Sequence, residues 1–135
     1  MIRQSKQDSY KLENELFLKS ISEKEGINHI AKGLLYEVLK KGRGVQPRRN
    51  SVVAVYYKGS LVNGKIFDDN TSQGYPDAFR LRELIEGWQI ALLNMKVGDR
   101  WRIYLPASLG YGSRGTAGIP KHSTLIFEIE LVSVA

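Results

Sequence analysis

The 135-residue chain has no cysteine, two histidines, four prolines and two methionines. Without cysteine there are no disulfides and no thiolate metal sites, and nothing marks an oxidising or a reducing compartment. His29 and His122 lie far apart and lack ligand spacing, so a histidine metal centre has no support. Asp68-Asp69-Asn70 is a short acidic turn without the calcium-loop pattern. No run approaches the roughly 18 apolar residues of a membrane span, and residues Met1 to Asp8 are too polar for a signal peptide. A cytoplasmic protein is expected, or a periplasmic one if a leader was removed. The glycines between 110 and 118 lack the Gly-Lys-Ser/Thr ending of a phosphate loop, and there is no G-x-S-x-G elbow. An enzyme made from this chain is expected to work without metal, nucleotide, cofactor or nucleophile.

What is present fits one domain, long enough to bury a core without covalent staples. The net charge is +6. The positive residues are spread, with one local cluster at Lys40, Lys41, Arg43, Arg48 and Arg49. Glycines and Pro47 interrupt it and no aromatic residue is interleaved, so a solvated basic loop ranks above a nucleic-acid surface.

Residues 8 to 25 read as a helix, capped at its start by Asp8 or Ser9 and ended by Gly26. Tyr10, Leu16, Phe17, Leu18 and Ile21 form an imperfect apolar stripe that needs a cover, from the main domain or a second subunit. From Gly33 the period becomes strand-like. Strands are expected at 34–39, 52–61, 65–68, 100–105 and 124–132, with a further short one at 79–81. Asn63-Gly64 signals a two-residue hairpin. Leu84, Trp88, Ala91, Leu92 and Met95 give a buried helix. It starts near Arg82 by pattern, or near Glu86 because Gly87 costs about 1 kcal/mol inside a helix. Residues 106–123 form a glycine-rich loop, and loops above about 12 residues are usually functional or disordered. The fold class is α+β: an antiparallel sheet of about five strands wrapped around one buried helix, plus a short N-terminal helix.

Several segments stand in a specific order. They are Val55-Tyr56-Tyr57-Lys58-Gly59, Asn63-Gly64-Lys65-Ile66-Phe67-Asp68, Phe79-Arg80-Leu81 and Leu84-Ile85-Glu86-Gly87-Trp88. Met95-Lys96-Val97-Gly98, Leu109-Gly110-Tyr111-Gly112, Ile119-Pro120 and Leu125 to Leu131 follow. The set resembles the FK506-binding (FKBP) type of peptidyl-prolyl cis-trans isomerase. Gly33 to Leu39 and the helix before it resemble the Mip-like bacterial branch. The match runs from residue 33 to 135. It implies an isomerase domain over 33–135, with 1–32 as N-terminal helix and linker.

The resemblance also implies a pocket. Trp88 would be its floor, with Tyr57, Phe67 and Phe127 as walls, Leu84 and Ile85 on the rim, and Phe79 beside them. Asp68 would place a carboxylate at one edge, and the Ile85 N–H would bind a substrate carbonyl. Tyr111 would offer its hydroxyl and Ile119 would close the far side. Taken singly, each of these is an ordinary core, turn or loop residue; the ordered set carries the pocket. Three positions depart from the family pattern. Asp69-Asn70 replaces small hydroxyl residues, Glu86 replaces proline or arginine, and Lys121 replaces the second residue of a frequent Pro-Pro. The stretch between Asp68 and Phe79 is too short for the chaperone insert of some relatives, and only the final helix of the Mip dimerisation domain corresponds.

The implied activity is acceleration of X-Pro bond rotation in folding or folded proteins. The implied partners are proline-containing polypeptides and FK506-like macrolides. The alternative is a proline-peptide binding or chaperone module using the same pocket without turnover. A monomer is expected, with weak dimerisation through the N-terminal helix as the alternative.

Overall fold

The computed structural model describes residues 5 to 135. The first four residues, on which part of the signal-peptide expectation falls, lie outside them. Among the described residues no helix is long and apolar enough to cross a membrane.

Alternating apolar residues drive the main sheet. β3 (Val52–Ser60) buries Val53, Val55 and Tyr57. β6 (Arg100–Leu105) buries Trp101, Ile103 and Leu105, and β7 (Leu125–Val134) buries Leu125, Phe127, Ile129 and Leu131. These faces close over α2 (Glu86–Asn94), which contributes Trp88, Ala91 and Leu92 to the same core. The remaining strands are β1 (Asn28–His29), β2 (Leu35–Lys40), β4 (Ile66–Asp69) and β5 (Asp77–Arg80). The antiparallel order is β1-β2-β6-β7-β3-β4, with β5 also on β3.

Among the described residues the sheet therefore has seven strands rather than about five. Asn28-His29 is too short and too polar to show a strand period. The Asn63-Gly64 turn also differs from the expected two-residue loop. Leu61 N–H donates to Lys65 O and Gly64 N–H to Leu61 O, with Gly64 at φ +88. That is a three-residue loop with a left-handed glycine, the form that adds a bulge, and the β3–β4 register shifts at Gly59/Ser60.

α2 begins at Glu86, the later of the two expected starts, and leaves Leu84 and Ile85 in the turn before it. Gly87 has a packing reason. A Cβ there would lie 2.1 Å from Leu105 Cδ2, and Leu105 is fully buried. Alanine would improve helix propensity by about 1 kcal/mol, but overpacking costs about 1–3 kcal/mol. Gly87→Ala should lower stability in urea titration; a gain would mean that Leu105 gives way freely.

α1 (Lys6–Ser22) starts earlier and ends sooner than expected. Its cap is Ser5, whose hydroxyl accepts from Asp8 N–H at 3.1 Å, so Asp8 and Ser9 lie inside the helix. At the other end, the Ser20 and Ser22 hydroxyls donate to the carbonyls of Phe17 and Lys19. Such back-bonding competes with helix propagation, and the turn closes before Gly26. The main domain covers part of the stripe: Ile21 packs with Leu35 and Tyr104, flanked by Phe17, Leu18, Ile27 and Ile126. Leu12 and Leu16 stay exposed.

Beyond α1 the outer sheet face is charged. Arg102 donates to Glu128 at 2.6 Å, Arg100 pairs with Glu128 at 3.3 Å, and Tyr104 donates to Glu37 at 2.7 Å. Burial and the Glu37 bond push the Tyr104 phenol up to about 12. The Arg102 hydrogen bond holds Glu128 below the usual carboxylate range, Arg100 adding to it. A lowered folded pKa stabilises above the unfolded value, about 4.3 for glutamate, and that stability disappears as pH falls through the folded value. Glu128→Gln should flatten the acid side of the stability profile between about pH 5 and 3. Urea midpoints across that range test it, and equal slopes in both proteins would contradict it. The basic cluster from Lys40 to Arg49 lies on the β2 end and the following loop, with its charged side chains exposed.

Candidate active site

At the mouth of the core, β3, β4, β5, α2 and the loop after β6 converge on a cavity of about 360 Å³. Every residue singled out from the sequence lines it: Tyr57, Phe67, Asp68, Phe79, Leu84, Ile85, Trp88, Tyr111, Ile119 and Phe127. Glu83, Thr116 and Ala117 complete it. Those three were not foreseen. Glu83 is legible only as the neighbour of Leu84, and Thr116 and Ala117 carry no pattern within the glycine-rich loop.

The aromatic geometry makes a floor and walls. Trp88 is 4% exposed, and the rings of Tyr57, Phe79 and Phe127 stand at 84°, 84° and 89° to it, with centroids 5.0, 6.1 and 5.2 Å away. Phe67 meets Phe127 at 88° and 5.5 Å. Edge-to-face contact matches the positive rim of one ring to the negative face of another. The upright rings thus leave an apolar slot above the indole. Gly59 makes room for them, because a Cβ there would lie 2.6 Å from Phe127 and 2.7 Å from Phe67.

Polar groups sit at fixed points around this slot. Tyr57 Oη donates to Asp68 Oδ2 at 2.6 Å. Burial, then the Asp68 carboxylate, raises the Tyr57 phenol well above its ordinary range, so at neutral pH it is a donor and not a base. Ile85 N–H has no internal acceptor among the described residues, although Ile85 O accepts from both Trp88 and Gln89 N–H. Gln89 Nε2 also donates to Leu84 O at 2.6 Å, which fixes the turn that presents Ile85. The buried Trp88 Nε1 has no acceptor among the described residues. On the far side, paired bonds between Thr116 and Ile119 (3.0 and 2.9 Å) pin the loop tip and bury Ile119, while Tyr111 stays exposed.

One residue beside the site shows in the sequence only as a departure from the family pattern. β5 pairs with β3 at Val52–Val55 and β4 pairs at Lys58–Ser60, which leaves a gap in the ladder. Asn70 fills it. Its Oδ1 accepts from Tyr57 N–H at 2.7 Å, its Nδ2 donates to Val55 O and Asp77 Oδ2 at 3.0 Å each, and its own N–H donates to Tyr57 O at 3.1 Å. A buried side-chain amide thus stands in for a strand and holds the backbone of the Tyr57 wall.

A larger groove of about 480 Å³ lies on the outer face, lined by Tyr56, Lys58, Asp69, Thr71, Arg100, Glu128 and Glu130. Its Arg100 and Glu128 pair with each other, and it offers no dry wall. Among the described residues no group of acidic, histidine or cysteine side chains is placed to hold a metal ion.

The fold and this pocket define a small antiparallel sheet closed over one helix, with an aromatic slot at its mouth. The family model for FKBP-type peptidyl-prolyl cis-trans isomerases matches residues 44–132, and the chain belongs to that family. It is 44% identical over 119 residues to the peptidyl-prolyl cis-trans isomerase Mip of Coxiella burnetii, covering 87% of this chain and 52% of that protein. It is 38% identical over 135 residues to the isomerase FkpA of Escherichia coli K12, covering 97% of this chain and 50% of the relative. The chain thus spans about half the length of these curated relatives. Among solved structures, a peptidyl-prolyl cis-trans isomerase from Pseudomonas syringae pv. tomato DC3000 superposes with a TM-score of 0.89 at 36% identity. That match covers 99% of both chains.

Proposed function

We propose that this chain is a peptidyl-prolyl cis-trans isomerase that turns over X-Pro bonds in the aromatic slot, with residues 33–135 as the isomerase domain. The observation that carries this reading is the set of upright rings around Trp88. Amide resonance gives the C–N bond partial double-bond character and a barrier of about 18–20 kcal/mol, so uncatalysed X-Pro exchange takes tens to hundreds of seconds. The twisted transition state has lost that resonance. Its carbonyl is less polar and its nitrogen regains a lone pair, so an apolar slot favours it over the planar form. The Trp88 floor and the Tyr57, Phe67 and Phe127 walls supply that environment without nucleophile or cofactor. The free Ile85 N–H would hold a substrate carbonyl on one side of the bond while the other side turns. The Tyr111 hydroxyl and Ile119 would bound the chain on the far side.

The substrate residue before proline is proposed to be apolar. Leu84 and Ile85 form an apolar rim, and the ionisable carboxylates lining the slot, Asp68 and Glu83, would repel a glutamate. A Leu-Pro peptide should therefore turn over faster than its Glu-Pro counterpart; the reverse order would refute this. FK506-like macrolides are proposed to occupy the same slot.

A proline-peptide binding module is the second reading, favoured by the unpaired Ile85 N–H, which would bind a carbonyl whether or not the bond then turns. A protease-coupled isomerisation assay run beside equilibrium binding separates the two. Acceleration supports the isomerase; saturable binding without acceleration supports the module.

A further inference from the structure

α1 reaches the loop between β6 and β7 through hydrogen bonds that span more than a hundred residues of sequence. Asn14 is 1% exposed. Its Oδ1 accepts from Thr124 N–H at 2.8 Å, and its Nδ2 is anchored on Tyr10 O at 2.8 Å. Thr124 Oγ1 also donates to Asn14 O at 3.4 Å. One helical turn earlier, Tyr10 Oη lies 2.7 Å from Ser123 Oγ. Ser123 spends its single hydroxyl proton on Pro120 O at 2.7 Å, so Tyr10 is the donor of that pair.

These contacts end next to the slot. Pro120 directly follows Ile119, a slot residue. Between Pro120 and Ser123, His122 N–H donates to Gly112 O at 2.9 Å, and Gly112 directly follows Tyr111. His122 itself sits at φ +64. A non-glycine residue stays in that left-handed region only where its surroundings over-determine it. Here Ser123 and Thr124 are tied to α1 on one side and Gly112 is tied to His122 on the other. Buried, fully satisfied polar contacts of this kind specify one docking geometry more than they add stability.

We propose that α1 is a positioning element of the slot. Asn14 and Tyr10 clamp residues 120–124, and through them set the loop that presents Tyr111 and Ile119 to substrate. For its kinetic consequence this rests on the isomerase reading above.

The test uses the full chain with Asn14→Leu, which keeps size but loses both side-chain hydrogen bonds, and Tyr10→Phe, which removes one hydroxyl. Amide exchange at Ile119, whose N–H bonds to Thr116 O, reports the loop; exchange at Ile103 in β6 reports the core. Asn14→Leu should speed Ile119 exchange about tenfold with Ile103 unchanged, as for a local opening. It should raise KM for a Leu-Pro peptide about threefold or more with kcat nearly constant, as for lost ground-state binding. Tyr10→Phe should move both in the same direction by less. If Asn14→Leu fails to fold, Tyr10→Phe decides. Wild-type KM in the folded variants would overturn the inference. A wild-type protein without turnover would instead remove the isomerase reading, and exchange at Ile119 would then decide the clamp alone.

Discussion

Phe67→Ala is expected to lower kcat/KM on a proline peptide by about tenfold to a hundredfold. The size follows from the wall it removes: an aromatic side chain in apolar contact is worth about 1.5–3 kcal/mol, and each 1.36 kcal/mol is tenfold in rate. Phe67 is the better probe among the wall residues. It is half-buried on the short strand β4, whereas Phe127 is 4% exposed in the long strand β7 and its loss would damage the core as well. On the proposed mechanism the wall favours the twisted amide over the planar one, so the loss should fall mainly on kcat. Phe67→Leu, which keeps an apolar wall without the ring, should lie between the two. Steady-state kinetics at several peptide concentrations separate kcat from KM, and an unchanged kcat/KM for Phe67→Ala would remove Phe67 from the site.

Asn70→Ala is expected to have the largest effect on stability, about 2–5 kcal/mol. The substitution strands Tyr57 N–H inside the sheet and takes one donor from Val55 O, and a buried group left without a partner costs about 1–3 kcal/mol. Asp77 loses its Asn70 donor as well. No neighbouring strand can move in, because β4 and β5 are already committed on either side of the gap. The freed Tyr57 backbone should also disturb the wall and its Asp68 bond, so turnover should fall together with stability. Urea unfolding measures the first and peptide kinetics the second. A stability change within about 0.5 kcal/mol, the range of an inert surface substitution, would show that Asn70 does not complete the ladder.

Much of this fold is legible because burial imposes a period. Val53-Val55-Tyr57 and Leu125-Phe127-Ile129-Leu131 alternate because one face of each strand is dry, and Trp88-Ala91-Leu92 recur because one face of α2 is. The features that escape sequence reading lack such a period. Asn28-His29 pairs with β2 through its backbone alone, and its exposed side chains carry no pattern. Gly87 reads as a cost to the helix, and its reason, the nearness of Leu105, exists only after the chain has folded. α1 is capped by Ser5 rather than by Asp8 or Ser9; all three are good caps, and sequence alone cannot rank them.

The slot shows the same division. Its rings are legible as an ordered set of aromatics on strands and helix, each placed by its own element. Asn70 is not, because its role depends on where two separate strands stop along β3. Glu83, Thr116 and Ala117 enter through the path of a turn and a loop, and no side-chain pattern marks that path. The clamp from Asn14 to Thr124 joins residues from opposite ends of the chain, and a polar residue on an amphipathic helix reads by default as a solvated one.

The central claim is that the slot turns the X-Pro bond and does not only hold it. Magnetisation exchange between the cis and trans resonances of a Leu-Pro peptide tests this directly, with protein far below stoichiometric. Uncatalysed exchange is too slow to see on the second timescale. Cross-peaks between the two isomers should grow with protein concentration and fade when Phe67 is replaced by alanine. Peptide lines that broaden on binding, with no cis–trans exchange at any protein concentration, would contradict it.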